Sequence, residues 1–490
     1  MKRLLSAVTF LALVIAGCSS NDQTPSGPNS NGSIDASVYV AIGNSITAGY
    51  QSGGLVETGQ IYSYPKLLAA QLGVSGEKFT QPIIPSPGTG SFISLASMNP
   101  VTLLTTSPQL TPPSNPTHPA PYNNLGIPGA VLFDALDTAN IDTKSAKREN
   151  PFFKFVLRDQ RTFGASIVAQ ALNLKPTLIT FWLGNNDVLG FATSGGTSPA
   201  TPTPTAFFDG LFSNALQALR LGAPNASIVV ANIPSVSTIP FFTTVGPQIA
   251  PVLEANRVLL GVPALPLYYQ KHGVKGPGMD TTSLVRLQNV LITLPGATYA
   301  PLIGSPTGKW YRDLAAKTGY PLAAVIGPGI DTTKPFGLHP LNPWPDALTL
   351  DIDEQVTADI TIKAYNESIL SAVNRFSKTD KPIALVDINK AFTTIAAEGY
   401  SVAGEKLTVD YIKGGQFSLD GVHPSSKGQG VIANLFIDAM NSTFQANIPK
   451  VNIAFIPGVP VPMGKSSLPN ITQWNVGPDV FNHVLRMFQQ

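Results

Sequence analysis

Val38-Tyr39-Val40-Ala41-Ile42 is an unbroken apolar run that stops at Gly43-Asn44-Ser45. A short run without polar alternation suits a strand buried on both faces, as found inside parallel sheets. Thr177 to Leu183 (TLITFWL), Ser227 to Ile233 (SIVVANI) and Pro382 to Ile388 (PIALVDI) read the same way. Between them lie helical patterns. Tyr64 to Leu72 has Ser63 as a cap, Pro65 in its first turn and Gly73 closing it. Phe207 to Leu221 spaces Phe208, Leu211, Phe212, Ala215, Leu216 and Leu219 on one side. Val356 to Phe376 sets Val356, Ile360, Ile369, Val373 and Phe376 on roughly one face, and Gly430 to Met440 follows a Pro-Ser-Ser-Lys-Gly turn. Strands alternating with helices predict an α/β domain around a mainly parallel sheet.

The 490 residues are 43% hydrophobic, which rules out a disordered chain, and 31 basic against 29 acidic side chains leave +2. Such a balance gives no bulk attraction for nucleic acid. The alternation is interrupted twice, over residues 86–120, rich in Pro, Ser and Thr, and over residues 240–350. Interruptions this long are functional insertions or, for 240–350, a small subdomain. Phe241, Phe242, Leu259, Leu260, Leu265, Leu267, Tyr268 and Tyr269 in the second either line an acyl-chain groove or cover an enlarged core.

The chain opens Met1-Lys2-Arg3, followed by the uncharged stretch Leu4 to Ala16. That stretch is too short to span a bilayer as a helix and fits the core of a signal peptide. It ends Ile15-Ala16-Gly17-Cys18, and Cys18 is the only cysteine, so no intrachain disulfide holds the fold. The run resembles a bacterial lipoprotein signal. The resemblance implies cleavage after residue 17, acylation of Cys18, a membrane partnership through that lipid and a place in the cell envelope. Ser19 and Ser20, where an aspartate is absent, lean in that family toward the outer membrane. Residues 18–33 read as a polar tether, 34–450 as the domain with its insertions, and 451–490 as an extension packing on the domain.

Four short pieces carry chemistry. Ser45 stands where the first strand ends, at the edge where open α/β sheets bind ligands. Asn124-Leu125-Gly126-Ile127-Pro128-Gly129-Ala130 is a tight-turn sequence, either an ordinary turn or one presenting a backbone N–H to an oxyanion. Gly184-Asn185-Asn186-Asp187 closes TLITFWL; an asparagine there either caps the next helix or aims its amide at a developing negative oxygen. In Asp420-Gly421-Val422-His423-Pro424 the aspartate sits three residues before the histidine, close enough to orient the imidazole.

In this order the pieces resemble the SGNH hydrolases, the GDSL-type esterases and lipases. The resemblance implies a three-layer α/β/α sandwich of flavodoxin-like topology and hydrolysis of carboxylic esters through an acyl-enzyme. It casts Ser45, His423 and Asp420 as the triad and Ser45, Gly129 and Asn186 as the oxyanion hole, with no cofactor. The ester is an acylated lipid, slightly favoured, or an O-acetylated glycan. A ligand-binding lipoprotein without hydrolysis is the alternative of another class. The family's first block usually reads Gly-Asp-Ser, whereas residue 44 is asparagine. Gly304 to Lys309 and Gly458 to Ser466 miss phosphate-loop spacing, and His118, His272, His339 and His483 lie too far apart to suggest a metal.

Overall fold

The four apolar runs supply four strands of one sheet, PIALVDI at one edge; the strand at the other edge is Asn124–Gly126, which the sequence presents only as part of a tight turn. The strands of this sheet are β1 (Tyr39–Gly43), β2 (Asn124–Gly126), β3 (Leu178–Trp182), β4 (Ser227–Ala231) and β5 (Ile383–Val386). Their order is β5-β4-β3-β1-β2, and every neighbouring pair is parallel. This is the flavodoxin-like order, in which the chain leaves β1 for one edge and returns to its other side with β3. The computed structural model describes residues 31–146, 149–197, 200–271, 279–282, 290–402, 404–459 and 470–488. Cys18, the leader, most of the tether, His272 and Gly464 to Ser466 lie outside the described residues.

The sheet is covered on both faces. Successive residues of a strand point oppositely, and β3 shows the consequence. Phe181 meets Phe212 of helix Thr205–Gly222, ring centroids 5.3 Å apart. Trp182, its neighbour, meets Tyr64 of helix Tyr64–Gln71 at 5.8 Å and Phe436 of helix Ser426–Phe444 at 6.0 Å. Each such fully buried side chain contributes roughly 1.5–3 kcal/mol. The chain is an α/β sandwich, with the core in two layers either side of a parallel sheet.

Two helix details differ from expectation. Ser63 makes no capping bond; the Tyr64 N–H is instead taken by the Gln429 side chain at 3.0 Å, a tertiary partner in place of a local one. In helix Ile352–Phe376, Val356 and Ile360 are exposed, while Ala358, Ile362, Tyr365, Ile369, Ala372 and Val373 are buried. The stripe drifts around this 25-residue helix, and the neighbouring helix Thr205–Gly222 selects which face is covered.

The expected insertions carry structure. Within 86–120, Ile93–Met98 and Val101–Thr105 form an antiparallel pair, and Trp474–Val476 adds alongside the second in parallel. Within 240–350, Phe241, Phe242, Leu267 and Tyr269 are buried in the main core, whereas Leu259 and Leu260 are exposed at the end of helix Val245–Leu260. The apolar set therefore divides between core and surface and lines no single groove.

Candidate active site

The turn after β1 is built around Asn44. Its side-chain oxygen accepts the Ile46 N–H at 3.1 Å, capping helix α1 (Ser45–Ala48), whose first residue is Ser45. Capping needs only an oxygen acceptor, so asparagine does here what an aspartate would do. Two more side chains brace the same turn. Asn124 donates to the Thr47 carbonyl at 2.9 Å, and Gln429 donates to the Ile46 carbonyl at 2.9 Å. The second brace was not read from the sequence, because Gln429 lies in a distant helix with no motif around it.

Asp420, Val422 and His423 share a tight turn closed by the Ser418 N–H to His423 carbonyl bond at 2.8 Å. One Asp420 oxygen takes the Val422 and His423 N–H groups at 3.0 and 2.8 Å and the Ser418 hydroxyl at 3.1 Å. The other takes the Gly53 N–H at 3.1 Å and faces His423 Nδ1 at 2.9 Å. Burial alone raises this carboxyl, but the imidazole beside it and these donors outweigh burial, and its pKa is held below the ordinary aspartate value. An ionised carboxylate only accepts, so Nδ1 carries the ring proton and Nε2 is left with its lone pair. Nε2 lies 2.9 Å from Ser45 Oγ. The structure thus joins Ser45, His423 and Asp420 in one hydrogen-bonded chain.

The Phe241 N–H, at the start of the 240–350 insertion, donates to the Gly421 carbonyl at 3.0 Å and supports this turn from outside. Tyr50 flanks the imidazole at 4.7 Å between ring centroids.

Gly129 sits in the turn after β2 with φ +82°, a left-handed conformation that favours glycine. Neither its N–H nor that of Ser45 donates to another group among the described residues. Asn186 opens helix α2 (Asn186–Thr193) directly after β3. Its amide donates to the Ala130 carbonyl at 2.8 Å, which ties it to the Gly129 turn and leaves the second amide hydrogen available. Ser45 follows β1 and Asn186 follows β3, so both stand at the point where the strand order reverses.

Asp187 fastens the same corner. Its carboxylate takes the Leu132 N–H and the Thr203 hydroxyl, each at 2.8 Å, pinning the segment that follows Gly129. Burial pushes this carboxyl up to about 7; the two donors pull it back, and Asp134 nearby pushes it further up. The sequence reading assigned Asp187 no task. Tyr50 Oη, Asn44 Nδ2 and both amide atoms of Asn185 are buried without a partner among the described residues.

No curated protein and no solved structure matches the chain. Residues 39–260, which hold the Ser45, Gly129 and Asn186 turns, match the family model of the GDSL-like lipase/acylhydrolases.

Proposed function

We propose that the chain hydrolyses carboxylic esters, with Ser45 as nucleophile. The carrying observation is the relay from Asp420 to His423 to Ser45, 2.9 Å at each step, in a chain whose residues 39–260 match an acyl-hydrolase family model. Asp420 and His423 lie beyond the matched residues, so the geometry supports their roles independently.

Ser45 Oγ attacks the ester carbonyl carbon as His423 Nε2 takes its proton, and the carbonyl oxygen becomes an oxyanion. The Ser45 and Gly129 N–H groups and the spare Asn186 amide hydrogen receive that oxyanion. Collapse expels the alcohol, which takes the proton back from His423. Water, deprotonated by the same nitrogen, then splits the acyl-enzyme into acid and free Ser45. The test is hydrolysis of p-nitrophenyl esters by wild type beside Ser45→Ala and His423→Ala. Loss of nearly all activity in both variants is expected; a wild type that hydrolyses none, or a Ser45→Ala protein at full rate, ends the reading. A fluorophosphonate probe that leaves Ser45 unmodified favours a binding protein without hydrolysis.

The long-chain lipid ester slightly favoured by the sequence loses its ground, since the apolar set that suggested a groove is divided between core and surface. With that ground gone, an ester with a short acyl group, such as an O-acetylated glycan, becomes the substrate put to the test. Activity falling steeply with acyl length in the same ester series is the expected result. Membrane anchoring through acylated Cys18, at the outer membrane of the bacterial envelope, belongs to this proposal. Cys18→Ser is expected to move the protein from the membrane fraction, and unchanged fractionation refutes the anchor.

A further inference from the structure

Ser45 and His423 are 2% and 1% exposed, so little of either side chain reaches the surface. Helix α3 (Asn482–Phe488), the last described element, lies against the site. Phe488 stacks on His423, ring centroids 5.7 Å apart. The Met487 carbonyl oxygen would stand 3.2 Å from a Cβ placed on Gly129. The Phe488 carbonyl lies so close to Gly190 of α2 that a Cβ there would meet it at 2.3 Å. One helix thus touches the imidazole, the Gly129 turn and the helix that begins at Asn186.

What holds this helix is apolar. Val484, Met487 and Phe488 are buried, and among the described residues no hydrogen bond or ion pair joins residues 482–488 to any segment other than their own preceding turn. A segment held by side-chain packing alone opens at lower cost than one also held by backbone bonds. There is also room for it to move. Asn482 and Leu485 line a cavity of about 720 Å³, together with Tyr299, Trp310 and Lys317. Trp474–Val476, paired with Val101–Leu103, fastens the base of the segment.

We propose that α3 is a gate: seated as seen here it closes the site, and its shift toward the neighbouring cavity admits the ester to Ser45. The proposal rests on the ester-hydrolase reading but concerns access, which is measurable without turnover. In Ser45→Cys protein, alkylation of the new thiol by iodoacetamide reports access, and peptide mapping separates it from Cys18. Phe488→Ala removes the stack on His423. Gly190→Ala favours α2 as a helix and forces the Phe488 carbonyl away. Both changes are expected to raise the alkylation rate at least about tenfold, as a shift from a rare open state toward a common one, with circular dichroism unchanged. They are also expected to raise ester turnover in the Ser45 protein.

Alkylation as slow in both variants as in the parent overturns the gate. Faster alkylation without ester hydrolysis upholds the gate and refutes the esterase. Should either variant unfold, hydrogen exchange in the unaltered chain decides. Amides of residues 484–488 exchanging well ahead of those in helix Ser426–Phe444 support the gate, and equal protection refutes it.

Discussion

Asp420 and Asp187 are both buried beside the candidate site, yet their surroundings drive them in opposite directions. Asp420 gathers four donors besides the imidazole and is held below the ordinary carboxylate range. Burial carries Asp187 to about 7, with two donors pulling it down and the neighbouring Asp134 pushing it up. Burial alone therefore does not decide the charge of a carboxylate; the imidazole beside Asp420 and the donors aimed at it outweigh burial, whereas Asp187 has a second carboxyl, Asp134, beside it. The difference matches the tasks. Asp420 must stay ionised to hold the His423 tautomer, whereas Asp187 needs only to accept two hydrogen bonds, which a protonated carboxyl still does.

The largest expected effect comes from Asp420→Asn. An amide facing Nδ1 admits the wrong tautomer, and kcat for ester hydrolysis is expected to fall about 10⁴-fold. A loss under tenfold breaks the contrast at its first member.

Asp187→Asn comes next, read in stability and not in rate. Raised in the folded state above an ordinary value near 4, Asp187 binds its proton more tightly folded than unfolded. Its contribution to stability is therefore full at low pH and declines as pH rises from about 4 to about 7, by up to about 4 kcal/mol. Denaturant unfolding at pH 5 and 8.5 is expected to show a smaller drop in Asp187→Asn than in wild type. Identical drops mean that other groups set the slope. Asp420 has the opposite sign: its stabilising effect is present above about pH 4 and is lost only as acid protonates it.

Thr203→Val sharpens the contrast by removing one of the two donors to Asp187. It is expected to cost about 1–2 kcal/mol and to extend the pH-dependent decline above 7, checked by the same unfolding series. Smallest is Asn44→Ala, the uncharged member of the set, which loses the cap on Ile46 for about 1 kcal/mol. Asn44→Asp keeps the cap oxygen. A thermal melt that separates the two variants in that order supports capping as the task of residue 44.

How much of this was legible varied by element. TLITFWL and PIALVDI were readable as buried strands because each is a short, mostly apolar run without strict polar alternation; that the first lies inside the sheet and the second at its edge was not. Ser45, Asp420 and His423, which the structure brings together, could be picked out as candidates because each lies in a turn whose neighbours form a short recognisable pattern; Gly129 and Asn186 were picked out in the same way. Gln429, which braces the Ser45 turn from a distant helix, carries no such pattern. The outward face of Val356 and Ile360 was hidden as well, since periodicity states that a face exists without saying what will cover it.

Local order along much of the chain was thus determined by the amino-acid sequence itself: which apolar runs are strands, where they stop and which polar side chains stand at their ends. Those follow from apolar spacing and turn chemistry, which act over a few residues. Only the tertiary structure decided the pairing of Trp474–Val476 with Val101–Leu103, the opposite charge preferences of two aspartates and the stacking of Phe488 on His423. Each depends on atoms from distant segments meeting at a few ångströms, and no local pattern encodes which segments will meet.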